Sequence, residues 1–298
     1  LAAGFGPAVV NKETVQSIYN ANYNFAQPPY KPTLTAIAGD KRVFLFWNDI
    51  AEKSYDRFLR KFDFEGYLLY RSLEPEFNDI KIITDSKGEP KYWKPIAQFD
   101  IIDSIKGPDP IGINGAHFWR GDDIGIQHSY IDTTVTNGYN YYYALVAYDQ
   151  GDPAYGTKGL LPTETTKIIQ QDLVGNIQFI DINCAVVKPN APVAGYKPPE
   201  IIGDLTKVTS GIGTGKINSV IINPSEVKEN AEYKISFNSI GDIPFYKTIS
   251  YSLLRNYNGT IDTLEASVDT AQFSSGNFGK TYDGFSFSVQ NDTAVKAK

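Results

Sequence analysis

The 298-residue chain has one cysteine, Cys184, no methionine and only two histidines, His117 and His128. A single thiol forms no internal disulfide, so stability has to come from packing, with bound metal as the remaining aid. Two histidines without a partner at metal-ligand spacing argue against a structural zinc site, and both read as structural residues. No Cys–His nucleophile signature surrounds Cys184, and no GxSxG elbow occurs, which disfavours cysteine hydrolase and esterase chemistry. Clustered Lys and Arg are also lacking. The net charge is −6 and the sequence pI about 5.1, which excludes a phosphate-tracking nucleic-acid groove and a basic patch docking on anionic lipid. No apolar run approaches the roughly 20 residues that span a bilayer as a helix. The first residue is Leu1 and Met is absent, so the chain reads as a processed or excised piece of a larger protein.

What the chain has in abundance is aromatic residues: 13% of the total, with 20 Tyr and 17 Phe. Flat rings pair across strands on a pleated surface, and long helical periodicity is nearly missing, so the expected fold class is all-β. The length exceeds the needs of one small sandwich, and two β-sandwich domains in tandem are expected. The absence of methionine and the richness in Asn, Tyr and Gly, with the acidic balance, suit an extracellular bacterial protein.

Residues 1–27 form an N-terminal extension, with an apolar start at Leu1–Val10 and a short helix expected from Lys12 to Tyr23, capped by Asn11. Pro28-Pro29-Tyr30-Lys31-Pro32 enforces an extended entry to the first domain, 28–171. Its expected strands are Thr33–Ala38, Arg42–Trp47, Glu65–Ser72, Ser129–Asp132 and Tyr139–Tyr148, with Gly39-Asp40 turning between the first two. An insertion, 73–128, separates the third and fourth and carries strand-like pieces such as Lys91–Phe99. Proline-rich residues 172–202 form a stiff connector, within which Ile177–Val187 is apolar enough to lie as a strand on one domain. The second domain, 203–298, alternates cleanly: Tyr233, Ile235 and Phe237 interleave with polar neighbours, as do Phe285, Phe287 and Val289. Asn258-Gly259 is expected to turn a hairpin between Ile249–Leu253 and Thr260–Leu264. Ile217–Ile222 is apolar on both faces and reads as a buried central strand.

The first domain resembles fibronectin type III modules. The resemblance rests on Pro32, Leu34 and Ala36, on Trp47 ending the second strand, on Gly66-Tyr67-Leu68-Leu69-Tyr70-Arg71, and on Gly138 with Tyr141. It implies a sandwich in which Tyr141 is the corner tyrosine, with Tyr143, Leu145 and Ala147 on its inward face. The match covers about half of the chain, and the long insertion departs from the family's pattern. Gly213–Lys216, Asn223-Pro224, Tyr233–Phe237 and Tyr282-Asp283-Gly284-Phe285 are similar to modules that follow such domains in large secreted bacterial surface proteins. That likeness implies a tandem array of structural modules rather than an enzyme.

Four features compete as sites. Asp49, Glu52 and Asp56 follow the second strand while Asp149 and Asp152 follow the Tyr139–Tyr148 strand; the resemblance places both loops at one end, where five carboxylates suit calcium. Their bland reading is solvated loop acids. Tyr92, Trp93, Phe118 and Trp119 in the insertion offer rings that stack on a sugar face or bury the insertion against the sandwich, burial being favoured. Arg120-Gly121-Asp122 is an RGD tripeptide beside Asp123, a motif that short chance matches also produce. Gly211–Lys216 fails as a phosphate loop because Ile217 stands where Ser or Thr is needed and Ser210 where the first glycine is needed.

The sequence therefore predicts a non-catalytic extracellular module for structure, assembly or adhesion in a bacterial surface or appendage protein, with self-association or protein partners. Leu1–Val10 is a candidate for adding a strand to a neighbour. The competing reading is a carbohydrate-binding accessory region of a secreted hydrolase, with Trp93 and Trp119 as its platform.

Overall fold

A computed structural model describes residues 26–197, 199–200, 216–241, 247–269 and 281–290. The expected helix at Lys12–Tyr23, the apolar Leu1–Val10 segment and nearly all of the Gly211–Lys216 stretch lie outside them. The described residues are all-β, with only three-residue and four-residue 3-10 turns besides strands. In chain order the strands are β1 Leu34–Gly39, β2 Arg42–Trp47, β3 Phe64–Ser72, β4 Ile83–Thr84, β5 Pro90–Tyr92, β6 Ala97–Asp100, β7 Ser129–Asp132 and β8 Tyr141–Asp149. There follow β9 Ile169–Gln171, β10 Ile177–Ile180, β11 Cys184–Val187, β12 Lys216–Ile221, β13 Glu232–Ile240, β14 Lys247–Tyr257, β15 Thr260–Asp269 and β16 Phe285–Gln290. No helix among the described residues is long and apolar enough to cross a membrane.

The chain divides into two compact units. One comprises residues up to Thr35, Trp47–Ile126 and Asn140–Lys188. At its centre is a four-stranded sheet in the order β11-β8-β3-β6, every pairing antiparallel. Gly66-Tyr67-Leu68-Leu69-Tyr70 and Tyr141–Tyr148 are near-continuous apolar runs, a pattern that requires cover on both faces. Both faces have it. Leu68 and Tyr70 of β3 and Tyr142, Ala144, Val146 and Tyr148 of β8 form one core with Phe77, Phe118, Ile169 and Cys184, and Ile80, Tyr92 and Trp93 pack against it. The long insertion is thus the lid of this face. On the opposite face Tyr67, Leu69, Tyr143, Leu145 and Ala147 are fully buried. There Tyr67 meets Trp47 edge-on at 6.0 Å and Phe64 at 5.0 Å, and Trp47 meets Phe99 at 5.6 Å.

Several elements depart from the sequence expectation. Lys91–Phe99 splits into β5 and β6 across Lys94-Pro95, since proline donates no ladder hydrogen bond, and β6 then pairs with β3 as the edge of the main sheet. Ile177–Val187, expected as one strand, makes two: β10 pairs with β9, and β11 pairs with β8. The first turn falls at Asp40-Lys41, one residue later than expected; Lys41 takes φ 52°, and Asn137 bridges it by accepting from Lys41 N at 2.8 Å and donating to Asp40 Oδ1 at 2.6 Å.

The other unit comprises Ala36–Phe46, Gln127–Tyr139 and residues from Pro189 onward. It contains the sheet β1-β2-β7, in which Val43 pairs with Asp132 and Phe46 with Ser129. It also holds the ladder β13-β14-β15 and the pair β12-β16. The Asn258-Gly259 turn forms as expected: φ values of 52° and 78° fit a type I′ hairpin, closed by Tyr257 opposite Thr260. Strand β12 departs from the expected buried central strand. It pairs only with β16 among the described residues, and Ile217 and Ile221 are half-buried at the margin of a cluster of Tyr251, Leu253, Tyr282, Phe285 and Phe287. The Asp283-Gly284 turn ties that cluster down: Gly284 O accepts from Ile222 N at 2.8 Å and Asn223 N at 2.9 Å, while Arg255 Nη1 reaches both oxygens of Asp283 at 2.9 and 2.8 Å.

Gly66 is the tightest point of the main sheet. A Cβ there would lie 2.3 Å from Phe99 O and 2.9 Å from Tyr148 Oη. Gly66→Ala must therefore push β6 off β3, and we expect a loss of about 3 kcal/mol in chemical unfolding. Gly88→Ala, whose Cβ would meet nothing within 4 Å, is expected to cost clearly less, only the backbone strain of its positive φ.

Candidate functional site

The polar chemistry gathers where β3 begins, β8 ends and β6 ends. Phe64 pairs with Asp149 and Gly66 with Tyr148, so Glu65 is an extra residue inserted into β3. A bulge of this kind re-aims the inserted side chain. Glu65 is fully buried, and neither carboxylate oxygen has a hydrogen-bond partner. Burial pushes its pKa up to about 8, with the charges of Asp103, Asp100 and Asp123 adding to the rise and Arg120 opposing it.

The loop around Glu65 is built on carboxylates that accept backbone amides. Asp100, also fully buried, accepts from the amides of Asp123 and Ile124. Asp123 accepts from Asp103 N at 3.2 Å and Ser104 N at 2.9 Å, and Lys106 Nζ stands 3.1 Å from it; the bond from Lys106 holds its pKa below the usual carboxylate range. Gly121, at φ 134°, leaves room for Asp100: a Cβ there would fall 2.3 Å from the carboxylate. This is the glycine of the RGD tripeptide. Arg120 N donates to Gly107 O at 2.9 Å and Gly107 N donates to Gly121 O at 2.8 Å, while Arg120 Nη2 donates to Lys106 O at 3.3 Å. The arginine is thus laid back along 106–107, and Asp122 is left exposed. Tyr148 completes the frame, accepting from Gln98 Nε2 at 2.7 Å and donating to Arg120 O.

Asp63, two residues before Glu65, is the centre of a second acidic group. It is 2% exposed and its Oδ2 has no partner. Burial, then Asp149 and Asp56, raise its pKa to about 6, with Lys61 offsetting part of the rise. Asp149 accepts from Gly151 N at 2.9 Å and Thr163 N at 3.1 Å and from the Thr163 hydroxyl. Asp56 accepts from Leu59 N at 2.9 Å and Gln27 N at 3.2 Å, and Asp152 stands 3.8 Å from Lys61 Nζ.

Of the five acids expected to converge, Asp56 and Asp149 meet around Asp63, with Asp152 tied to the same group through Lys61. Asp49 and Glu52 are engaged differently. Asp49 pairs with Lys53 at 2.8 Å on the 3-10 turn Ile50–Lys53, and Glu52 accepts from the Tyr67 hydroxyl at 3.0 Å. Among the described residues no three carboxylate, imidazole or thiol groups already stand at metal-holding separation. Sequence reasoning missed Asp63, Glu65 and Asp100. The available signal was Asp63-Phe64-Glu65, two acids at the mouth of an apolar strand.

The insertion's aromatics divide three to one. Phe118 is 5% exposed and meets Tyr92 at 5.6 Å and Tyr148 at 5.3 Å. Trp93 packs on the core, with Lys167 Nζ 3.5 Å and Lys81 Nζ 4.5 Å over its ring. Lys167 is in turn held by Glu164 at 2.9 Å, which also accepts from the Tyr70 hydroxyl at 2.8 Å. Trp119, by contrast, is 48% exposed. Elsewhere His117 Nδ1 lies 2.6 Å from Asp109 O, and the buried Cys184 thiol has its pKa pushed up to about 12 by burial, which keeps it protonated and unreactive. A shallow cleft is lined by Gln27, Tyr30, Ser54, Tyr55, Asp56 and Arg57.

Comparison with protein-family models, with curated proteins and with solved structures finds no match.

The raised pKa values carry a sign. Asp63 and Glu65 bind their protons more tightly folded than unfolded, so the folded protein holds extra protons between the ordinary carboxylate range and about 6 for Asp63 or about 8 for Glu65. Stability then falls as pH rises through that window. In calcium-free buffer the unfolding temperature is expected to drop from pH 4.5 to pH 8, and Asp63→Asn is expected to flatten the part of that slope below about pH 6. Parallel wild-type and Asp63→Asn profiles would show that Asp63 is charged in both states.

Proposed function

We propose that this chain is a non-catalytic structural module of an extracellular or cell-surface protein, and that it assembles by protein contact through the β9–β10 ribbon. One observation carries the reading: the ribbon is apolar and open. Leu173 is 106% exposed, Val174 86% and Phe179 47%, with Ile168, Ile177, Ile180 and Ile182 also exposed. Among the described residues β10 pairs only with β9. The segment 168–182 contains no Lys, Arg or Pro, the residues by which edge strands are normally protected from pairing. The partner that fits is a second copy. An antiparallel pairing of β10 with itself across a two-fold axis is self-complementary and sets no like charges within the strand against each other.

Other features support the same reading. A three-stranded sheet β1-β2-β7 and a four-stranded sheet β11-β8-β3-β6 are the strand groups that a fibronectin type III resemblance implies. The acids with raised pKa values, Asp63, Glu65 and Asp149, are buried and have no activated nucleophile among their partners, which favours structure over catalysis. The accessory glycan-binding reading retains one ring, the exposed Trp119; Trp93 carries two ammonium groups over its face instead.

Sedimentation equilibrium tests the assembly reading. The wild-type chain is expected to self-associate in the micromolar range, and Phe179→Lys to weaken that association by about tenfold or more with an unchanged unfolding temperature. A chain that stays monomeric up to roughly 100 µM would overturn it.

A further inference from the structure

Most arginines of this chain have internal work. Arg42 Nε donates to Asp40 O at 3.3 Å, Arg71 stands over the Tyr141 ring, Arg120 Nη2 donates to Lys106 O, and Arg255 pairs with Asp262 and Asp283. Arg57 and Arg60 are exposed, and among the described residues neither has a hydrogen bond, ion pair or ring contact. They are the two ends of one loop. Asp56 and Lys61 close that loop by a β-bridge, with Asp56 N donating to Lys61 O at 2.9 Å, and Asp56 Oδ1 braces it by accepting from the amides of Phe58 and Leu59. Asp56 is the sole acid of residues 53–62 and is buried, while Lys53 and Lys61 already face Asp49 and Asp152. In a chain of net charge −6, a braced turn thus holds two guanidinium groups that no acid of the chain answers.

Exposed rings stand beside them. Tyr55 meets Phe62 edge-on at 5.2 Å and Phe58 meets Tyr155 at 5.1 Å, and Tyr55, Phe62 and Tyr155 are all exposed. Arg57 also lines the cleft, together with Tyr30, Tyr55 and Ser54. Ser54 Oγ accepts from Tyr30 N at 2.6 Å, which leaves its hydroxyl proton to donate elsewhere. The cleft measures about 240 Å³, below the roughly 300–1,000 Å³ of a drug-sized pocket, so it admits one ring of a chain that continues outside. Tyrosine rings stack on the C–H face of a sugar, and a guanidinium fork matches a carboxylate through two parallel bonds. Other anionic partners fit less well. Phe58 and Leu59 at the tip of the loop are half-buried, so no apolar tip projects to enter lipid, and two free cations do not make the row that tracks nucleic-acid phosphates.

We propose that Arg57, Arg60, Tyr30 and Tyr55 form a binding site for an acidic polysaccharide of the uronic-acid type. One sugar ring lies in the cleft against Tyr30 and Tyr55 with its carboxylate on Arg57, and Arg60 receives the carboxylate of a neighbouring ring. The site shares no residue with the β9–β10 ribbon and does not involve Trp119.

Calorimetric titration of the chain with a short oligogalacturonate is the test. Binding is expected with a Kd below about 1 mM, weakening as sodium chloride is raised. Arg57→Gln and, separately, Arg60→Gln should each weaken it about tenfold with an unchanged unfolding temperature, since neither side chain holds an internal bond. Tyr55→Ala should weaken it about fivefold, whereas Trp119→Ala should leave it unchanged. A neutral maltooligosaccharide and an oligoglutamate peptide should each bind at least about tenfold more weakly. Absence of binding at about 5 mM oligogalacturonate, binding that survives both arginine substitutions, or binding lost with Trp119→Ala overturns the proposal. Oligoglutamate bound as tightly as oligogalacturonate, or Tyr55→Ala without effect, overturns it as well, because the loop then reads charge alone and its partner is an acidic protein segment.

Discussion

Every residue of β8 from Tyr141 to Asp149 is buried. A strand in that position has no water for its amides and carbonyls, so both of its edges must be paired and both of its faces covered. Strands β3 and β11 pair the edges. The faces meet different neighbours: Trp47 at the end of β2 packs on Tyr67 of β3 and Phe99 of β6 on one side, and Phe77, Phe118 and their neighbours from the long insertion pack on the other. A sandwich sheet with one solvated face would have no use for the insertion. Here the insertion is part of the core, and its Tyr92 and Trp93 serve packing before anything else.

Covering a sheet with irregular chain creates many loop amides without strand partners. The acids of this protein answer that need. Asp85 accepts from Lys87 N and Glu89 N, Asp109 from Ile111 N, Gly112 N and Phe118 N, and Asp172 from Val174 N and Asn176 N, as Asp56, Asp100, Asp123 and Asp149 do in their own loops. Charge-assisted bonds of this kind are stronger than neutral ones. Each of these residues is a staple for its turn. Glu65 stands out because neither of its oxygens has such a role, whereas Asp63 and Asp85 each leave one oxygen without a hydrogen-bond partner.

The parts of the fold legible in the sequence were those with a local cause. Arg42–Trp47 and Ser129–Asp132 form at the expected residues, and Asn258-Gly259 turns because both positions need positive φ. What escaped was set by distant partners. The apolar character of Ile217–Ile222 signals contact with rings of β14 and β16, and it does not tell a central strand from an edge. The acids were grouped by the loop that carries them, which placed Asp49 and Glu52 with Asp56; a lysine four residues on and the Tyr67 hydroxyl engage those two instead. Asp63 and Glu65 were passed over because strict alternation treats them as the fraying end of a strand.

The bulge shows why that treatment fails. Without it, residues 65, 67 and 69 share a face, and Glu65 would join Tyr67 and Leu69 among the rings around Trp47. Instead Phe64 lies against Tyr67 at 5.0 Å, a contact across three positions that an unbroken strand forbids, because they fall on opposite faces. One inserted residue therefore puts a phenyl ring in the aromatic layer where strict alternation would have put a carboxylate. Gly66 follows at once because the bulged strand presses on Phe99 O and Tyr148 Oη, where no side chain fits. The bulge, the glycine and the buried acid are one device, and its effect is to bring a carboxyl group to the end of a sheet whose length is otherwise apolar.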